Sequence, residues 1–192
     1  MSRGPGRGAH RVRATGGLHR GRWLAVPPGA RPTEGRVREA LFSIWHEPLA
    51  RGASLLDLFA GSGVIGLEAA GRGALRVICV DSDRRAVSLL QSNRDRLGEA
   101  LVEIRRLDLP GGLRELSARG EGPFDLVFAD PPYRFTAYGE LLETVAPLLS
   151  EEGEAAIEHS ARTPPPAEAG GLIRVDQRRY GECALSFYRP EP

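Results

Sequence analysis

The sequence predicts an α/β domain on a mostly parallel, seven-stranded sheet, preceded by a small β-hairpin and helix. Three observations carry that expectation. Apolar runs at 54–59, 76–80, 101–105, 124–129 and 154–158 alternate with helical segments near 64–72, 83–97, 111–118 and 137–149, the rhythm of parallel strands joined by crossover helices. Beyond Thr163-Pro164-Pro165-Pro166, apolar runs at 171–176 and 183–189 meet around Arg178-Arg179-Tyr180-Gly181, which predicts a terminal antiparallel hairpin on the sheet edge. Before residue 50 the pattern is of another kind, short and punctuated by glycine and proline.

Residues 1–9 are expected to form a disordered basic tail. Residues 10–26 (HRVRATGGLHRGRWLAV) read as a β-hairpin in which Gly16-Gly17 and Gly21 permit turns, with Trp23 as its hydrophobic anchor. Pro27, Pro28, Gly29 and Pro32 make a stiff connector. Thr33 is placed to N-cap a helix with Val37, Leu41 and Ile44 on one face. The organisation expected is a tail (1–9), an N-terminal hairpin and helix (10–50) and a larger domain (51–192).

At 192 residues the chain is long enough for one domain with a sizeable core. Its 41% hydrophobic and 27% charged content is that of an ordinary globular protein. No stretch approaches the roughly 18 apolar residues of a membrane span, and the basic N-terminus lacks the apolar segment of a secretory signal. A cytoplasmic protein with no membrane partner is expected. Cys79 and Cys183 stand far apart with no His or Cys beside them, the pattern of buried thiols and not of a zinc site. The net charge of +1 conceals nine Arg against three Glu in residues 1–50. A basic arm on a near-neutral domain points to a phosphate-bearing partner. All 26 basic side chains other than His are Arg, however, so arginine abundance alone says little about RNA.

Residues 57–69 read DLFAGSGVIGLEA. Gly61-Ser62-Gly63-Val64-Ile65-Gly66 fits G-x-G-x-x-G, and Asp81 follows Gly61 by 20 residues, the spacing of a nucleotide site at a strand–helix turn. Asp57 narrows the choice of ligand. A carboxylate at the end of the first strand repels a pyrophosphate and attracts the ammonium of a methionine, directly or through water. Asp81 ends the second strand, where it can accept both ribose hydroxyls of an adenosine. Asp108 ends the third, within reach of an adenine amino group, although an N-cap of the next helix explains it nearly as well. Asp130 ends the fourth. Four acids at successive strand ends mark the edge at which an open parallel sheet binds ligands.

Asp130-Pro131-Pro132-Tyr133 suits methyl transfer to an exocyclic amine. The lone pair of such a nitrogen is delocalised into its ring, so the amine is planar and weakly nucleophilic. Two acceptors on its two N–H groups, the Asp130 carboxylate and the Pro131 carbonyl, favour the tetrahedral geometry that frees the lone pair. Each proline fixes its φ near −65°, which pre-sets the carbonyl directions. Tyr133 offers a ring for a flipped-out base, a stacking contact of roughly 1–3 kcal/mol.

Five parallel strands followed by a hairpin, with these motifs in this order, have the layout of a class I, Rossmann-like methyltransferase using S-adenosylmethionine. From residue 11 onward the chain resembles the RsmD family, bacterial 16S rRNA guanine-N2 methyltransferases. The shared features are Gly17-Leu18-His19-Arg20-Gly21-Arg22-Trp23-Leu24, Arg31-Pro32-Thr33, Val37-Arg38-Glu39-Ala40-Leu41-Phe42, the glycine loop, the DPPY tetrapeptide and Arg179-Tyr180-Gly181. The glycine loop and DPPY recur across amino-methyltransferases, whereas R-P-T…V-R-E-A-L-F is far more specific. The resemblance implies a donor site on Asp57, Phe59, Ala60, Gly61, Ser62, Gly63, Asp81, Ser82, Asp108 and Leu109, with no metal. It implies catalysis at Asp130, Pro131, Pro132 and Tyr133. It also implies an N-terminal portion that covers the active site and helps bind RNA, with 16S rRNA or the assembling 30S subunit as partner; nothing in the sequence demands a dimer, and a monomer is expected. Two departures stand out: Asp81 occupies a position where the family more often has Glu, and Ala14-Thr15-Gly16 is looser than the usual isoleucine-containing turn.

For RNA contact the candidates are Arg20, Arg22, Arg31, Thr33 and Arg38, as part of an electrostatic platform for phosphates. Arg31 and Arg38, on which the family motif centres, have the alternative of organising the pocket. Two other functions compete. A DNA adenine methyltransferase shares the DPPY chemistry but generally carries a separate target-recognition region. A non-catalytic RNA-binding or assembly protein would keep the fold without binding the donor. A nicotinamide oxidoreductase leaves DPPY and the basic hairpin without a purpose.

Overall fold

The structure, a computed structural model, describes residues 10–27 and 35–192. Strands β1 (His10–Arg13) and β2 (Trp23–Val26) pair antiparallel as a separate two-stranded sheet, joined through a 3-10 turn at Gly17–His19. The expected hairpin is present, but Trp23 does not anchor it. Trp23 is 46% exposed, with the Arg13 guanidinium 4.6 Å from its ring centre. Strand alternation sends Leu24 and Val26 to the opposite face, and those two are buried. Helices α1 (Gly35–Ile44) and α2 (His46–Ala50) follow; Val37, Leu41 and Phe42 of α1 are buried. The expected tail, the connector residues Pro28, Gly29 and Pro32, Arg31 and the expected N-cap Thr33 lie outside the described residues.

The remaining elements are β3 (Ser54–Leu58), α3 (Val64–Gly71), β4 (Arg76–Asp81), α4 (Arg84–Leu97), β5 (Val102–Arg106), α5 (Leu113–Ala118), β6 (Phe124–Ala129), α6 (Tyr138–Val145), β7 (Leu149–Ser160), β8 (Glu168–Ala169), β9 (Leu172–Tyr180) and β10 (Cys183–Pro190). The strands form one sheet in the order β5-β4-β3-β6-β7-β10-β9-β8. Strands β3 to β7 are parallel, and β10 runs antiparallel between β7 and β9. Seven of these strands match the expectation. The eighth, β8, has only two residues, too few for any periodicity to reveal.

One boundary moves. The helix expected to reach residue 149 ends at Val145, a 3-10 turn covers Ala146–Leu148, and β7 begins at Leu149. Pro147 has no N–H to continue the α-helical ladder, so the last turn tightens and stops.

The chain winds outward from β3 to β5, then returns to β6 on the other side of β3. The switch point, where ligands bind, therefore falls between β3 and β6. One face of the sheet packs Leu24, Val37, Leu41 and Trp45 together with Leu67, Leu90 and Phe128. The other packs Ile78 and Phe124 against Leu113, Leu141 and Tyr188. The N-terminal hairpin and α1 thus share a core with the larger domain.

Candidate active site

The sheet register brings three of the four acids together. Leu58 pairs with both Val80 and Ala129, so Asp81 and Asp130 stand one residue above that level on either side of β3. Two strand spacings separate them, about 10 Å. Asp57 lies deeper, level with Cys79 and Phe128, and is 1% exposed. Its Oδ2 accepts the Gly66 N–H at 2.9 Å, in the first turn of α3, and lies 3.8 Å from the Cys79 thiol. Among the described residues no hydrogen bond is made to Oδ1. Burial pushes the Asp57 carboxyl up to about 7, with the Gly66 hydrogen bond pulling it down and the charges of Asp130 and Asp81 pushing it further up. A cationic group above Asp57 would relieve all three carboxylates.

Between β3 and α3 the backbone turns sharply. Phe59 has φ 57°, in the left-handed region that a non-glycine residue rarely occupies, and Gly61 and Gly63 follow at 54° and 77°. The turn at Phe59 reverses strand alternation: Asp57 faces α3, while Phe59 packs with the opposite core. Gly66 is needed for space, since a Cβ there would come within 2.3 Å of the Cys79 sulfur. The loop is tied to Asp81, whose Oδ2 accepts the Gly61 N–H at 2.7 Å and whose Oδ1 accepts the Asp83 N–H at 2.9 Å. Each oxygen keeps further acceptor capacity, so these bonds leave room for ribose hydroxyls. Asp81 therefore has a loop-bracing bond that sequence spacing did not suggest.

Next to the loop lies the tetrapeptide. The Asp130 N–H donates to the Leu58 carbonyl at 3.4 Å, and Pro131 is buried. The Pro132 carbonyl accepts the Phe135 N–H at 2.7 Å, closing a turn. Among the described residues no hydrogen bond is made to the Pro131 carbonyl. Tyr133 is 81% exposed. Phe59, Phe135 and Tyr138 form a run of edge-to-face contacts, with successive ring centres 5.4 and 5.1 Å apart. Burial raises the Tyr138 phenol above its ordinary range, and the Asp130 charge adds to the shift. Phe135 and Tyr138 were not picked out from the sequence, because aromatic residues in a loop carry no spacing signature.

Asp108 and Ser82 are exposed beyond β5 and β4, and Leu109 packs against the core on the α5 side. The N-cap alternative for Asp108 does not hold. Gly112 caps α5, and what Asp108 contributes is its main-chain carbonyl, which accepts the Gly112 N–H at 2.7 Å.

The basic residues separate into two groups. Arg38 is 4% exposed; its Nε lies 3.3 Å from the Glu68 carboxylate and its Nη2 donates to the Arg13 carbonyl at 2.6 Å. Of the two roles expected for it, this enclosure suits the organising one. Burial lowers its pKa, and the Glu68 charge opposes that shift. Glu68, with no exposed surface, also accepts the Thr15 N–H at 3.0 Å and pairs with Arg72 at 2.6 Å. Arg20 and Arg22 are exposed on the far part of the hairpin. Arg22 donates to the Arg96 carbonyl at 3.2 Å, where a cation complements the C-terminal end of α4. The 3-10 turn beside them abuts the end of α3, since a Cβ at Gly17 would sit 2.3 Å from the Gly71 carbonyl oxygen. That is one α3 length, about 12 Å, from the glycine loop.

A family described as "Conserved hypothetical protein 95" matches residues 12–189. Ribosomal RNA small subunit methyltransferase D of Escherichia coli (strain K12) is 40% identical over 148 residues, 76% of this chain and 70% of that protein. YlbH of Bacillus subtilis (strain 168), an rRNA methyltransferase by name, is 32% identical over 183 residues, 93% of this chain and 98% of that one. The solved structure of the Escherichia coli methyltransferase yhhF superposes with a TM-score of 0.81 at 30% identity, covering 95% of this chain and 99% of its own. The fold is the class I methyltransferase fold that the order of motifs led us to expect, and the chain belongs to the RsmD family.

Proposed function

We propose that this protein transfers a methyl group from S-adenosylmethionine to the exocyclic N2 of a guanine in small-subunit ribosomal RNA. One juxtaposition carries the reading. Asp130-Pro131-Pro132-Tyr133 leaves the sheet beside the glycine loop, joined to it through the Phe59–Phe135 contact. A donor on the loop and an acceptor on the tetrapeptide would then meet at the switch point. The relatives' names supply the rRNA substrate; the choice of guanine N2 rests on the family resemblance.

The residues present fit the donor. Asp57 is a buried carboxylate placed for an ammonium, and Asp81 retains acceptor positions for ribose hydroxyls. Three carboxylates at one sheet edge disfavour a pyrophosphate ligand. When bound, the donor supplies an electrophilic methyl on a sulfonium. The Asp130 side chain and the Pro131 carbonyl accept the two amine hydrogens and direct the nitrogen lone pair at the methyl. Tyr133 stacks the extruded base. No strong base is required, because the nitrogen becomes acidic once methylated. Alignment supplies most of the rate, an effect that can reach roughly 7–11 kcal/mol.

The test is tritium transfer from labelled S-adenosylmethionine to hypomethylated 30S particles. Wild-type protein is expected to label the RNA, and Asp130→Ala to abolish labelling while still binding S-adenosylhomocysteine. Nucleoside mass spectrometry should then identify N2-methylguanosine. Absence of transfer to any ribosomal substrate refutes the proposal, and N6-methyladenosine in duplex DNA would favour the DNA-modifying alternative.

A further inference from the structure

Asn93 belongs to neither the glycine loop nor the hairpin, yet its amide touches both. It sits in α4 with no accessible surface. Its Oδ1 accepts the Ala25 N–H at 3.0 Å, and its Nδ2 donates to the Ala25 carbonyl at 2.8 Å and the Ser62 carbonyl at 3.0 Å. Ala25 is paired with Arg11 across the hairpin, and both its main-chain polar groups point away from that partner. The Asn93 amide therefore stands where a third strand would pair with β2. Its second Nδ2 hydrogen carries the connection into the turn between Gly61 and Gly63. Leu90, one helical turn earlier, occupies the space beside that turn, 2.6 Å from where a Cβ on Gly63 would lie.

We infer that Asn93 is a positioning residue that couples the seating of the N-terminal hairpin to the shape of the donor loop, so that methyl donor and RNA bind cooperatively. The inference rests on the reading above, with the donor at the glycine loop and RNA against the hairpin. A planar amide with three directional bonds satisfies Ala25 and Ser62 together in one orientation only. A load that shifts β2 rotates the amide and draws the Ser62 carbonyl with it. A loop settled around the donor holds the amide, and through it β2, in place. Such coupling is reciprocal: each ligand raises the affinity of the other by the same factor.

The experiment measures the dissociation constant of S-adenosylhomocysteine with and without a 16S rRNA fragment, and that of the RNA with and without S-adenosylhomocysteine. The wild type is expected to give the same factor in both directions, about fivefold or more. Asn93→Asp keeps the side-chain shape and the acceptor but replaces both donations with repulsion. It should bring the factor close to one while each ligand still binds alone. Asn93→Ser shortens the side chain so that it reaches neither Ala25 nor the Ser62 carbonyl, adds no charge, and should likewise lower the factor. It keeps the test open if Asn93→Asp does not fold. A purely structural role would change stability or single affinities and leave the factor unchanged. A factor of one in the wild type overturns the coupling, and a wild-type factor in Asn93→Asp overturns the assignment to this residue. Failure of the wild type to bind S-adenosylhomocysteine overturns this inference and the proposed function together, whereas failure to bind the RNA fragment overturns this inference alone.

Discussion

At the scale of single residues, Asp57 makes the sharpest prediction. Its carboxyl titrates at about 7 in the folded protein against an ordinary 3.8. Because the folded value is the higher one, ionising Asp57 costs folding stability. The cost is absent below the unfolded value, grows as pH rises and is complete above about pH 7. A donor ammonium requires the ionised form, so binding near pH 6 must expel a proton. Calorimetric titration with S-adenosylhomocysteine in two buffers of different ionisation enthalpy should report release of up to one proton at pH 6, falling toward none at pH 8. Equal proton release at both values would remove Asp57 from the binding step. Gly66 gives a second test. Gly66→Ala drives a methyl into the Cys79 sulfur and should cost about 1–3 kcal/mol in urea unfolding. Adding Cys79→Ala should recover part of the loss.

At the scale of elements, Glu68 holds the N-terminal region to α3. One fully buried carboxylate serves Thr15 of the hairpin, Arg38 of α1 and Arg72 just past the end of α3. Glu68→Ala leaves two cations without their counter-charge and should cost about 3–5 kcal/mol, read from the urea midpoint. Glu68→Gln, which keeps the volume, should lose less if hydrogen bonding matters as much as charge. Legibility divides at this scale too. The parallel strands, the glycine loop and the tetrapeptide were readable because periodicity and fixed spacing encode them. Glu68 and Asn93 were not, because what distinguishes them is a polar side chain at a buried helical position. That signal was present: Ala86, Leu90 and Asn93 recur at helical spacing along the buried side of α4, and Glu68 is the one charged residue in VIGLEAAG. Trp23 misled for the opposite reason, since its size suggests burial and the strand's alternation overrides it.

At the scale of the whole molecule, exposed arginines among the described residues are found on the hairpin, on α4, α5 and β9, and at Arg134 directly after the tetrapeptide. RNA that reaches both Tyr133 and Arg20 must span the length of α3. Affinity for the 16S rRNA fragment should fall with salt, and Arg20→Gln should lower the slope of log affinity against log salt by about one. Arg38→Gln, acting on an enclosed ion pair, should reduce stability and leave that slope in place. A slope unaffected by Arg20 would move the RNA path off the hairpin.

The shared core also bears on how such a protein can change its target. A binding module hung on a linker can be replaced by recombination in one event. Here Leu24, Val26, Val37 and Leu41 pack with Leu67 and Leu90, so the segment proposed to meet the substrate cannot be exchanged without opening the interior. Under that proposal, evolution of target choice is confined to the outward side of the hairpin, at exposed positions such as Leu18, Arg20 and Trp23, while the inward side stays under selection for packing. New specificities in this lineage should accumulate as successive point changes on one exposed surface, with the scaffold behind it kept intact.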